Sequence, residues 1–416
     1  MCTPQATSVT EAAESGPLAW FAQMVPHCKQ HAQAAVAAGR PVVGIMCEYA
    51  PRELIMAAGG VPVCLCGGDA DTIPSAEAHL PANLCPLIKS TYGYLVEKAN
   101  PFLEMADLVI AETTCDGKKK MFELMGRARP TYLMELPPKE DDPEAMENWV
   151  RELRKLRAFL QARWGRASTD ANLRAAIGVM NRERRLRRRL AELLKADEPP
   201  LTGRQLLDLK SIISGIPEDL EQYERALRMF ADKAPASAAA SAPAPERSTC
   251  QPTGQAGSRD ARGPRQRPAR ILLTGVPLVH GAERVMDIIE GHGGLVVCQE
   301  NCTGLKPILE DVPEDAADPI SALAEKYYHL PCSVRTPNAR RLERLRELAR
   351  DYRAEAVIEL IWQACLTYAV EAFNVKRLVE EELRLPYLRI ETDYSPSDSA
   401  RIAVRVEALV ETVRAR

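Results

Sequence analysis

The sequence predicts an α/β fold: two Rossmann-like parallel-sheet domains with a helical segment between them. Three observations predict it. Short apolar runs ending in Gly, Pro or Cys alternate with helical stretches, the pattern of parallel βα units. That alternation occurs twice, over residues 17–141 and 270–416, on either side of a charged helical stretch at 142–232. A chain of 416 residues is long enough for two or three domains with cores of their own.

The elements follow in order. Residues 1–16 are polar and are expected to be a disordered leader. A helix is expected from Pro17 to Ala38, with Trp20, Met24 and Ala35 on one face. His27 and His31 lie at i and i+4 on it, but no further ligand follows nearby, so a partly exposed helix face is favoured over a metal site. Pro41–Cys47 reads as a short strand ending in cysteine, Pro51–Ala58 as a helix closed by Gly59-Gly60, and Val61–Cys66 as a second strand. Cys85 then precedes Pro86, a residue suited to opening a helix. The stretch 106–125 is the clearest unit: an apolar strand, a break at Thr113–Gly117 containing Cys115, and an amphipathic helix from Lys118. Pro130–Pro137 supplies one more strand.

Residues 142–232 are helical and charged. The basic piece Asn181–Leu190 has no aromatic interleaving and acids surround it, so it is expected to be a solvated helix face rather than a nucleic-acid patch. Residues 233–269 are Ala, Pro, Ser, Gly and Arg with almost no large apolar side chain, a composition expected of a flexible linker. Cys250 falls inside it and is discounted as a ligand.

The second α/β block opens with a strand at 270–277, a helix at Ala282–Ile289 and a strand at Leu295–Cys298, followed by Glu300-Asn-Cys302-Thr-Gly304. Cys332 sits in a turn, and Asn338–Tyr352 is a charged helix. Ala354–Cys365 is a strand ending in cysteine, followed by a helix from Leu366 to Leu383 and a strand at Pro386–Glu391. Strand–cysteine–helix–strand at 106–137 is thus echoed at 354–391. The echo is imperfect, because Cys47 follows the first strand of its half and Cys302 the second strand of its own.

Composition narrows the function. A net charge of −3 supplies no field to recruit nucleic acid or anionic lipid. No apolar run approaches the roughly 18 residues of a membrane helix, and no signal-peptide pattern is expected at Met1-Cys2-Thr-Pro, so the cytoplasm is the default compartment. Twelve cysteines in a reducing compartment point to metal or redox chemistry rather than disulfides.

Cys47, Cys85 and Cys115 fall at successive element ends in the first half, and Cys302, Cys332 and Cys365 in the second. In a parallel sheet such ends face one edge, where ligands bind. Helix N-termini also favour thiolates. Three thiols per half with no histidine at a zinc-like interval fit an iron–sulfur site better than structural zinc. Scattered core cysteines remain the alternative. Cys64 and Cys298 read as in-strand core positions, and Cys66, at a strand end, is ambiguous.

Five strings carry a family likeness: Leu84-Cys-Pro-Leu-Ile-Lys-Ser-Thr-Tyr-Gly93, Glu112-Thr-Thr-Cys-Asp-Gly-Lys-Lys-Lys-Met121, Glu300-Asn-Cys-Thr-Gly304, Gln363-Ala-Cys-Leu-Thr-Tyr-Ala-Val-Glu371 and Glu391-Thr-Asp-Tyr-Ser395. From about Pro41 to the C-terminus, apart from the linker, the chain resembles the double-cubane cluster proteins of the 2-hydroxyacyl-CoA dehydratase and benzoyl-CoA reductase superfamily. The resemblance implies a two-domain α/β chain that forms a homodimer. It implies two four-iron cubanes joined by a sulfide, an [8Fe-9S] cluster, on Cys47, Cys85, Cys115, Cys302, Cys332 and Cys365. It further implies an ATP-dependent, low-potential reductase of a small molecule, fed with electrons by a separate ATP-hydrolysing iron–sulfur activator protein. The chain has neither a phosphate loop nor a dinucleotide fingerprint, so ATP and NAD are not expected to bind here.

Two alternatives stay open: a dehydratase subunit carrying one [4Fe-4S] cluster, and a non-catalytic electron-transfer or cluster-carrier protein. Glu112, Glu300 and Glu391 are candidate proton donors, although a structural role near strand ends is favoured for each. Lys118–Lys120 are expected to solvate a helix start.

Overall fold

The computed structural model describes residues 16–231 and 267–416. The expected leader up to residue 15, most of the expected linker and Cys250 lie outside the described residues.

The first half runs α1 (Pro17–Ala22), α2 (Met24–Ala37), β1 (Val42–Ile45), α3 (Arg52–Ala57), β2 (Val61–Cys64), α4 (Ile73–Glu77), α5 (Pro86–Glu97), α6 (Pro101–Met105), β3 (Ala106–Glu112), α7 (Asp116–Met125) and β4 (Thr131–Met134). The helical stretch is α8 (Pro143–Trp164), α9 (Asp170–Glu192), α10 (Gly203–Asp208) and α11 (Pro217–Ala231). The second half is β5 (Ala269–Gly275), α12 (Arg284–Gly291), β6 (Gly294–Glu300), α13 (Pro319–Tyr328), α14 (Ala339–Asp351), β7 (Ala356–Trp362), α15 (Leu366–Arg377), β8 (Tyr387–Thr392) and α16 (Ser399–Arg414).

Two four-stranded sheets result, ordered β2-β1-β3-β4 and β6-β5-β7-β8, and every strand pair in both is parallel. The second sheet therefore repeats the order of the first. In each, the first strand of the half lies between its second and third strands, so a topological switch point falls beside it. Strands β1, β5 and β7 are buried along their whole length. That explains their unbroken apolar character, since helices cover both faces of a parallel sheet.

Local sequence sets several boundaries. Asp142 caps α8 through its carboxylate, and Thr169 with Asn172 forms a capping box at α9. The single helix expected over 17–38 is two helices, broken at Gln23 (φ −102°, ψ 22°). Pro26 explains the break, because it has no N–H to bond back to Ala22 and its ring would crowd that carbonyl. The helix expected to reach Leu383 is α-helical to Arg377 and continues as a π-helical turn, Leu378–Glu382. Strand β5 begins at Ala269, inside the range expected for the linker, with the Ala269 N–H donating to Gly293 O at 3.0 Å.

The two halves pack on each other. Each of three hydrophobic clusters draws buried side chains from both, for example Val109 with Leu360, Leu54 with Tyr327, and Phe21 with Leu272. Tyr49 Oη donates to Leu330 O at 3.1 Å, and Tyr394 Oη to Gly67 O at 3.0 Å. A Cβ on Gly68 would stand 2.2 Å from His280 O, so only glycine allows this approach between the halves.

Helix α9 acts as a clamp. The basic piece expected to be a solvated face is turned inward in part: Asn181 and Arg184 are buried, while Arg182, Arg185 and Arg189 are exposed. Asn181 exchanges two hydrogen bonds with the Val312 backbone, at 2.8 and 2.9 Å. Arg184 pairs with buried Glu53 of α3, whose other oxygen accepts from Tyr327 Oη at 2.8 Å. Arg185 and Arg188 hold Asp311. The acids that satisfy this run lie in distant segments, which is why local charge pattern alone points to solvent.

Candidate metal centre

All six predicted cysteines line one cavity of about 130 Å³ between the halves. Cys47 follows β1, Cys302 follows β6, and Cys332 lies in the segment between α13 and α14. Cys85, Cys115 and Cys365 are the N-cap residues of α5, α7 and α15. Three thiols therefore sit where unpaired helix N–H groups favour negative charge. Apolar side chains such as Met46, Ile88, Val279 and Trp362 form much of the remaining wall.

Burial dominates the chemistry of these thiols. It pushes Cys47 and Cys85 up to about 12 and Cys365 up to about 11, and lifts Cys302 well above the ordinary thiol range. The thiols also sense each other across the halves: Cys332 raises Cys47, and Cys365 raises Cys85. The two triplets read along the chain are thus interleaved in space. Protons stay on such thiols until a metal displaces them. Among the described residues, no three His, Cys, Asp or Glu side chains converge on one point to hold a single ion. The thiols surround a volume instead, a donor set of the kind iron–sulfur groups use and unlike four donors around one zinc.

Two further cysteines reach the cavity. Cys64 was expected in the strand core, yet it ends β2 and lines the cavity together with Cys66. A hydrogen bond with Cys66 pushes Cys64 down to about 7, and Cys66 Sγ donates to Met46 O at 3.3 Å. The Cys-x-Cys spacing is the available signal, because i and i+2 share a face of an extended chain. Cys298 is a core residue of β6, as expected. His27 is buried and packs against Trp20, with ring centroids 4.1 Å apart and planes tilted by 37°, a packing role.

The charged candidates separate clearly. Glu112 ends β3, is fully buried, and neither carboxylate oxygen has a hydrogen-bond partner among the described residues. Burial pushes it up to about 7 against the pull of Lys118. Glu300 is held by Thr274 Oγ1 at 2.5 Å, Lys306 at 3.3 Å and Arg341 at 3.3 Å, a buried ion cluster. Glu391 is exposed and pairs with Arg389 at 2.7 Å, which removes it as a buried proton donor. Lys118 does not solvate its helix start. It lines the cavity and donates to Met46 O at 2.8 Å, while Lys119 pairs outward with Asp116. Burial opposes the charge on Lys118, but Cys47, Cys66 and Glu112 outweigh it and raise its pKa.

Residues 47–413, a range that opens at Cys47 and contains all six cysteines, match the family described as 2-hydroxyglutaryl-CoA dehydratase, D-component. The chain belongs to this family. It is 38% identical over 374 residues to the putative dehydratase subunit YjiM of Escherichia coli, covering 90% of this chain and 91% of the relative. It is 22% identical over 380 residues to the (R)-phenyllactyl-CoA dehydratase beta subunit of Clostridium sporogenes, covering 90% and 92%. It is 30% identical over 151 residues to a benzoyl-CoA reductase subunit of Thauera aromatica, covering 35% and 38%. Membership thus places the chain among dehydratase and reductase subunits. No described helix is long and apolar enough to cross a membrane.

Proposed function

We propose that this chain is the catalytic component of a low-potential reductase of small molecules. Cys47, Cys85, Cys115, Cys302, Cys332 and Cys365 hold a double-cubane [8Fe-9S] cluster, which supplies electrons at low potential when bound. The observation that carries this reading is the convergence of all six thiols from both halves on one apolar cavity. A dehydratase subunit with a single [4Fe-4S] cluster would need only one triplet there. The names of two of these relatives favour that dehydratase reading, and it is the one to test against.

The chain's own residues have defined roles. The apolar walls exclude water, which strengthens every charge interaction inside. Lys118 and Lys306 set positive charge beside thiolates from each half. Glu112 holds a proton near neutral pH close to Cys47, the behaviour of a group that delivers protons to a reduced substrate. The electron source is a separate ATP-hydrolysing iron–sulfur activator, and the chain pairs with a second copy of itself.

Protein purified without oxygen decides between the readings. About eight irons per chain, with ATP- and activator-dependent reduction of a small substrate, is the expected result. About four irons points to the dehydratase, and a colourless, zinc-loaded protein removes both.

A further inference from the structure

A second cavity, of about 100 Å³, adjoins the cysteine cavity, and Arg52, Cys64, Cys66, Val279 and Cys302 belong to the walls of both. Its own wall is strongly basic: Arg52, Arg184, Arg187, Lys210 and Lys326, against Glu48 and Glu183. The arginines are accounted for. Arg52 pairs with Glu48 at 2.9 Å, Arg184 with Glu53, and Arg187 with Glu183 at 3.6 Å. The lysines are not. Lys210 Nζ donates to Leu278 O and Lys326 Nζ to Pro307 O, each at 3.0 Å, and neither has an ion-pair partner among the described residues.

The carboxylates that these lysines sense are engaged elsewhere. Asp208 is held by Arg204 at 3.0 Å, Glu283 accepts from the Gly281 N–H at 2.9 Å, and Glu48 and Glu53 belong to the arginines above. Burial consequently pushes Lys210 down to about 8 and Lys326 to about 7. Lys118 and Lys306 already stand beside the cysteines, so the second pair is not needed to balance thiolate charge. Lys326 is buried and Lys210 partly buried, so charge held on them without an anion costs free energy, and an arriving anion would offset that cost and keep both protonated.

We propose that this antechamber binds a small carboxylate, held by Lys210 and Lys326, as the acidic end of the substrate that reacts in the adjoining cavity. The proposal rests on the reading of that cavity as the reaction site. Two separate point-charge donors suit the two oxygens of a carboxylate. The volume is far below the roughly 300–1,000 Å³ of pockets that take drug-sized ligands, so it suits an acid of a few carbons and not a nucleotide.

Isothermal titration of the anaerobically purified full chain tests this, with propionate, its neutral isostere propionamide, and inorganic phosphate as probes. Propionate is expected to bind at least about tenfold tighter than either. Lys210→Met and Lys326→Met are each expected to weaken propionate by at least about tenfold, with iron content unchanged and the unfolding temperature not lowered. Equal binding of propionamide, tighter binding of phosphate, or no loss in well-folded variants would overturn the proposal. The propionamide comparison uses wild-type protein and holds even where a variant fails to fold. Iron measured on the same samples keeps the two readings apart: iron-free protein with lysine-dependent propionate binding removes only the cluster, and iron-replete protein blind to propionate removes only the antechamber.

Discussion

Lys118 Nζ stands 2.8 Å from the carbonyl oxygen of Met46. The bond pins the helix capped by Cys115 to the loop carrying Cys47, so one side chain both positions two thiols and places charge beside them. Lys118→Met keeps the stem and removes the charge and the bond. It is expected to lower iron per chain by half or more and to cost about 1.5–3 kcal/mol of stability. Lys120→Met, on the exposed side of the same helix, should change stability by less than about 0.5 kcal/mol. Iron assay and thermal unfolding of both variants check this.

The cysteines offer an internal control. Cys85→Ala and Cys365→Ala, in different halves, should each deplete iron, because both thiols line the same cavity. Cys298→Ala should cost about 1 kcal/mol through lost packing and leave iron unchanged. Iron and sulfide per chain, measured beside the unfolding midpoint, read out both effects. Iron loss in Cys298→Ala equal to that in Cys85→Ala would mean that folding, not ligation, governs retention.

The clamp between the halves has its own test. Arg184→Leu leaves Glu53 buried without its cation and is expected to destabilise by about 3–5 kcal/mol. Adding Glu53→Leu removes the stranded charge and should recover part of that loss, so the two costs will not add. Urea unfolding of the single and double variants measures the coupling.

Asp219 predicts a pH dependence away from the cysteines. Its buried carboxyl accepts from Trp20 Nε1 at 2.8 Å, and burial pushes it up to about 6. In the unfolded chain an aspartate titrates near about 3.9. Between those values the folded state holds more protons, so this group lowers stability as pH rises from about 4 to about 6 and keeps it lowered above. Asp219→Asn retains an acceptor for Trp20 and should flatten the profile across that window. Unfolding midpoints from pH 4 to 6.5 give the comparison, and identical slopes in both proteins would contradict it.

Features written in short-range pattern are legible in the order of residues. The alternation of apolar runs with helices is a property of ten to fifteen neighbouring residues, and it announces the paired parallel sheets. The placement of Cys85, Cys115 and Cys365 beside helix starts is equally local. Lys118, the basic run of α9 and Glu391 escape such a reading for the opposite reason. A lysine among lysines looks solvated until a carbonyl 72 residues away is found to accept its hydrogen bond. Arg184 looks like surface until Glu53, 131 residues away, is found against it.

The strand and helix pattern, the doubled architecture and the placement of Cys85, Cys115 and Cys365 at helix starts follow from residue order, because backbone periodicity and helix capping depend on near neighbours. Which thiols face one another, that Cys64 and Cys66 join them, and that two lysines beside the cavity are left without an ion pair follow from how the halves pack. Burial and charge pairing act through space, and their energies depend on distances that no stretch of chain contains.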